Sequence, residues 1–263
     1  MSLRNLVSIF GFAVIAAALA GGPALAAEQD GALSTFERPG EDPLLRDVTE
    51  ITRQYPRAAV REFEKGMDDS RKGKLANAAR HLEDAIRIAP QFFNAHNSLG
   101  ALYQMMERYR DAEREYREAH RLNPRSAAPL VNLGALHIVE SVSRGAGDAL
   151  ARRSLLNDAL ASLNSALELQ PSSAVAHCLT GVVYYKTGFF EDAEFHLLRA
   201  LDNGSRSRLA RLALAGLYIH TQEWTNALLQ LDAYLAENRF SSDRHWIRIL
   251  RQELAEKVKG TNQ

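Results

Sequence analysis

The sequence predicts an all-α solenoid of five helix pairs, stacked side by side and closed by a C-terminal capping helix. Three observations predict it. Gly66, Gly100 and Gly134 lie 34 residues apart, and Gly181 and Ala215 continue the column after 47 and 34 more. Two further columns keep the same rhythm: Ala78, Ala112, Ala159, Ala193 and Ala227, then Leu82, Tyr116, Leu163, Leu197 and Leu231 four residues later. Finally, Pro90, Pro124 and Pro171 end the first three units, where a residue without an N–H stops a helix.

Within each unit, spacings of three, four and seven put these residues on one stripe of a helix. Gly or Ala at a crossing lets two helix axes approach closely, and Tyr103, Tyr184 and Tyr218, three residues further on, fill the adjoining space. Ala85, Ala119, Ala166, Ala200 and Tyr234 complete the second helix of each pair. A pair of this kind cannot bury its apolar flank alone, so its neighbours must stack on it.

The pattern resembles the tetratricopeptide repeat family. The unit Phe93 to Pro124 carries Leu99-Gly100, Tyr103, Tyr109, Ala112, Tyr116, Ala119 and Pro124, nearly the whole signature. The resemblance covers about Ala59 to Arg239 and implies a right-handed superhelix. Departures are Asp69 and His137 where an aromatic is usual, and Ser205 and Arg239 where proline closes a unit. The repeats fall at about 59–92, 93–126, 127–173, 174–207 and 208–241, within a solenoid spanning 57–239.

The 47-residue interval places 13 extra residues in the third unit. Ser143 to Gly147 reads as a turn, and Asp148 as the N-cap of a long helix reaching about Leu169. Leu150, Leu155, Leu156, Leu160, Leu163 and Leu167 keep helical spacing across it, so the third pair is expected to be longer than its neighbours. The alternative is a loop over 143–158. Beyond Arg239, Ser242-Asp243 cap a last helix over 242–259. Trp246, Ile249, Leu250, Leu254 and Val258 are expected to form its apolar side.

At the other end, Arg4 precedes an apolar run from Leu6 to Ala20, followed by Ala24-Leu25-Ala26. This reads as a signal peptide over 1–26, cleaved to leave an exported, periplasmic or secreted chain; retention as an anchor is the alternative. Residues 27–56, broken by Pro39, Pro43 and Pro56, read as a flexible linker.

Thirty-two basic and 32 acidic side chains cancel, which argues against nucleic acid as the main partner. One cysteine, Cys178, excludes an internal disulfide and any multi-thiolate metal site. No two of the eight histidines stand three or four apart, and no His-Glu-x-x-His, nucleophile elbow or phosphate loop occurs. The sequence therefore predicts no catalytic residue, no cofactor and no metal ligand.

What remains is binding. In the resembled family the first helices of successive pairs line a concave groove. Carried onto this chain, the lining is Phe63 and Met67; Asn94, Asn97, Ala101 and Gln104; Val131, Ala135 and Ile138; Cys178, Val182 and Tyr185; Leu212, Gly216 and Ile219. The set lacks the Lys and Arg with which family members clamp a terminal carboxylate. It predicts a largely apolar groove holding a peptide or partner segment, with the three amides fixing register. The function expected is a non-catalytic protein-protein interaction scaffold of the cell envelope or exterior. The second reading is a carbohydrate or cell-wall glycan binding module. Packing of these side chains against each other is the alternative to any groove.

Overall fold

A computed structural model describes residues 54–143, 148–203, 208–238 and 243–261. Among these residues it holds eleven helices and no strand. The signal peptide, nearly all of the linker and the turn at 144–147 lie outside the described residues, as do Ser205, Arg239 and Ser242. The described chain divides into two compact units that meet in sequence at Pro171 and Ser172.

The first unit holds three helix pairs: α1 (Arg57–Arg71) with α2 (Leu75–Ile88), α3 (Phe93–Met105) with α4 (Tyr109–Leu122), and α5 (Ala128–Ser143) with α6 (Ala149–Leu169). Each pair packs on itself, and α2 and α4 pack on the first helix of the pair that follows. The glycine column marks where paired helices cross. A Cβ on Gly66 would stand 2.9 Å from Leu82, one on Gly100 2.7 Å from Tyr116, and one on Gly134 2.6 Å from Leu163. Those partners are the third sequence column, and all three are fully buried. Each contributes about 1.5–3 kcal/mol by leaving water. Ahead of α1, the Tyr55 ring stacks on Phe92 at 4.2 Å and its hydroxyl donates to the Gln91 carbonyl.

The third pair is the long one, with 16 and 21 residues. Asp148 caps α6 as its position predicts, its carboxylate accepting from the Ala151 N–H at 3.1 Å. The apolar stripe does not reach the start of this helix. Leu150 is 84% exposed, and burial begins at Leu156.

The second unit holds two pairs and a terminal helix: α7 (Ala174–Thr187) with α8 (Phe190–Asp202), α9 (Arg208–His220) with α10 (Trp224–Glu237), and α11 (Arg244–Thr261). Gly188 ends α7 in the left-handed region, at φ 87°, where a side chain would be strained. Helix α11 packs on α10 in the place of a sixth first helix. Its Ile249 stands 34 residues after Ala215 and so breaks the small-residue column. It docks through Ile247 and Leu254, both buried, whereas Trp246 is exposed. That corrects the expected apolar side: Ile247 is the anchor, and Trp246, one residue back, is turned about 100° away.

Tyr234 ties this cap down. Its buried hydroxyl donates to the Asp243 carboxylate at 2.5 Å, and Arg208 donates to both at 3.3 and 3.5 Å. Arg244 donates to the carbonyls of Leu235 and Asn238.

A polar column runs beside the apolar ones. Residues 19 apart in sequence join the two helices of a pair: Glu62 with His81 at 2.8 Å, His96 with Glu115 at 2.7 Å, His177 with His196 at 3.0 Å, and Arg211 with Gln230 at 3.3 Å. The His177 and His196 contact joins two Nδ1 atoms, so one ring must donate and the other accept. Burial, and then the neighbouring His177, hold the His196 pKa below its ordinary value, against a smaller opposing effect of Asp192. Protons therefore favour the unfolded chain. This contribution is complete above the unfolded value, about 6.5, and is lost as pH falls from there through the folded value. Between pH 7.5 and 5, urea unfolding should show wild type losing stability relative to His196→Gln. Parallel curves would refute the assignment.

Candidate interaction surface

In the first unit α3 touches α5, and α1 meets the start of α3 where Phe63 packs on Phe92. The bridge between neighbours is an amide pair: Asn132 Nδ2 donates to Asn97 Oδ1 at 2.9 Å. Phe63, Met67, Ala101, Val131 and Ala135 are each partly exposed. The Phe63 ring lies 5.0 Å from Phe92, which holds it in place.

The other sequence-predicted residues of this unit are packed away. Asn94, Asn97 and Gln104 are 3%, 7% and 9% exposed, and Ile138 is 1% exposed. Asn97 Oδ1 is occupied by Asn132, and Gln104 Oε1 accepts the buried Tyr116 hydroxyl at 3.1 Å. Two of the three amides expected to fix a ligand's register therefore hold neighbouring side chains instead. The physical reason is that a buried Tyr hydroxyl or side-chain amide needs a partner inside the protein.

In the second unit Cys178, Val182, Leu212 and Ile219 are buried and belong to the core. Tyr185 and Gly216 remain partly exposed. The Tyr185 ring meets Phe190 at 6.1 Å and His220 edge-on at 5.9 Å, while Phe190 and His220 lie 4.8 Å apart. Burial raises the Tyr185 hydroxyl pKa, so it stays protonated and able to donate. Phe190 and His220 were missed in the sequence: Phe190 falls in the column of Tyr109, three residues before the alanine, which was read as packing and not as lining, and His220 ends its helix outside the columns.

The partly exposed members of the set are thus uncharged and range from Gly216 and Ala101 to Phe63 and Tyr185. The lining carries no nucleophile with a base beside it, and its one thiol, Cys178, is fully buried. Elsewhere, Glu62, His81 and Asp84 bring three donor atoms within 4.8 Å of one another. A search for paired histidines overlooks such a group. Its signal is His81-x-x-Asp84, with Glu62 one helix earlier.

Three family models match the chain, all describing tetratricopeptide repeats: over residues 93–126, 147–188 and 178–242. No curated protein matches it in sequence. Among solved structures it is similar to a thermophilic tetratricopeptide repeat protein of Thermus thermophilus. The two are 23% identical with a TM-score of 0.63, over 75% of this chain and 99% of that one. It is also similar to PilW, a type IV pilus biogenesis factor, at 20% identity and a TM-score of 0.63, over 77% of this chain and 87% of that one. A third is YrrB, described as having an unusual peptide-binding site. There the identity is 16% and the TM-score 0.50, over 80% of this chain and 98% of that one.

Proposed function

We propose that this chain, a tetratricopeptide repeat protein, is a non-catalytic scaffold that holds an extended partner segment against the first helices of its repeats. The observation that carries the reading is the face of α1, α3 and α5. Phe63, Met67, Ala101, Val131 and Ala135, carried by those helices, are each uncharged and partly exposed, which supports the reading. Small side chains there let a partner's backbone come close, and Phe63 and Met67 offer area for an apolar anchor. The family as a whole serves protein interaction, and the YrrB likeness is to a peptide-binding member.

We infer further that the chain works outside the cytoplasm. The basic residue, apolar run and small-x-small site within residues 4–26 support export, and the pilus factor is a structural neighbour. Cell fractionation with N-terminal sequencing tests this: a full-length chain confined to the cytosol would refute it.

The binding reading is tested on the residues that are open, because the buried Val182 could not change without harming the core. Peptides selected from a displayed library on the wild-type chain should lose binding at least tenfold with Ala101→Glu or Ala135→Glu. They should be unaffected by Arg117→Glu, on the exposed face of α4. Helical circular dichroism should be unchanged in all three. Equal binding by every variant would overturn the assignment of this face. A glycan-array signal, with no peptide selected, would favour the carbohydrate reading.

A further inference from the structure

In the first pair, Glu62 projects from α1, while His81 and Asp84 share a face of α2, three residues apart. The His81 ring lies between two carboxylates. Its Nδ1 is 2.8 Å from Glu62 Oε2 and its Nε2 3.8 Å from Asp69 Oδ2. A neutral imidazole has one proton. Either ring nitrogen can carry it: on Nδ1 it donates to Glu62, and on Nε2 it faces Asp69 and turns the Nδ1 lone pair toward the Glu62 oxygen. In the second arrangement a metal cation can enter between the two acceptors. The acid behind the ring, Asp69, stands where the repeat usually carries an aromatic side chain. A carboxylate that hydrogen-bonds the far nitrogen of a ligating histidine orients the ring and makes it a better ligand, and Asp69 has to close from 3.8 Å to do so.

From this geometry we propose that Glu62, His81 and Asp84 form a binding site for a divalent first-row metal ion of the zinc class. Asp69 is the positioning residue behind the imidazole. One imidazole and two carboxylates suit a borderline cation, with water completing the shell on the open side. Tetrahedral bonds of about 2.0–2.2 Å put neighbouring donors roughly 3.3–3.6 Å apart. The Glu62 and His81 atoms, at 2.8 Å, must open slightly, and all three donors lie within 4.8 Å of one another, a distance side-chain rotation can close.

Two cations now hold the acids: Lys65 on Glu62 and Arg87 on Asp84, each at 2.7 Å. Both are surface ion pairs on flexible side chains, which contribute little and give way easily.

The second pair supplies an internal control. The same three columns there hold His96, Glu115 and Glu118, again one imidazole and two carboxylates. That ring is buried, its Nε2 faces the neutral Pro90 carbonyl at 3.2 Å, and Arg121 grips Glu118 through two nitrogens at 2.8 and 2.5 Å. With Glu118 so held, the group is not arranged to receive an ion.

The test is titration of the untagged full chain with Zn2+ by calorimetry, and with Co2+ by visible absorption. One equivalent is expected to bind. His81→Ala, Glu62→Gln and Asp84→Asn should each weaken binding at least tenfold, Asp69→Asn about 10–100-fold, and His96→Gln not at all. The isosteric amide variants keep the test valid if His81→Ala unfolds. Zn2+ should raise the melting temperature of wild type and of His96→Gln, but not of Glu62→Gln. Absence of saturable binding, or wild-type affinity in Glu62→Gln and Asp84→Asn, would overturn the site.

Discussion

Valine at Gly100 should destabilise the chain by about 3 kcal/mol or more, at the upper end of what overpacking costs. A first carbon there would stand 2.7 and 2.8 Å from two atoms of the Tyr116 ring. The ring cannot swing aside, being fully buried with its hydroxyl held by Gln104. The helices must then separate, and the rest of the crossing loses contact with them. Gly216 is the counter-case. It too lies inside a helix, but a Cβ there would meet nothing within 4 Å. Alanine at 216 should therefore stabilise by about 0.5–1 kcal/mol, through helix propensity and a less flexible unfolded chain. Equilibrium urea unfolding measures both. Shifts of the same sign would refute the close-crossing account.

Tyr234→Ala should cost about 3–5 kcal/mol, as for a large aromatic removed from a core. The effect should concentrate at the C-terminal end, because Tyr234 is the group that Arg208 and Asp243 share. Amide exchange should accelerate along α10 and α11 while α1 to α4 keep their protection. Tyr234→Phe isolates the hydroxyl. Leaving the Asp243 carboxylate without that donor should cost about 1–3 kcal/mol. Exchange that quickens uniformly through the chain, or not at all, would show that the cap is held by other means.

Backbone architecture was legible because it depends on residue size at fixed intervals. The glycine column and the large column were both visible in the sequence, and Gly66 against Leu82 or Gly181 against Leu197 is their meeting in space. The polar column was not legible. Its members change identity from pair to pair, Glu and His, His and His, Arg and Gln, so neither size nor hydrophobicity repeats. The lining was legible only in part. Helical spacing told which residues share the flank of α7, but Val182 and Tyr185, three residues apart, differ in what else packs over them, and Val182 alone is buried. The amides misled for a related reason. Sequence shows a hydrogen-bonding group, whereas its commitment to Tyr116 or Asn132 exists only after folding.

The branched residue at 249 bears on how such a chain can grow. Gene duplication adding another hairpin downstream of α11 would ask a β-branched isoleucine to occupy a crossing that accepts glycine or alanine elsewhere. A module of 34 residues spliced between α10 and α11 inherits a ready-made finial, whereas an appended one first needs a smaller residue at 249.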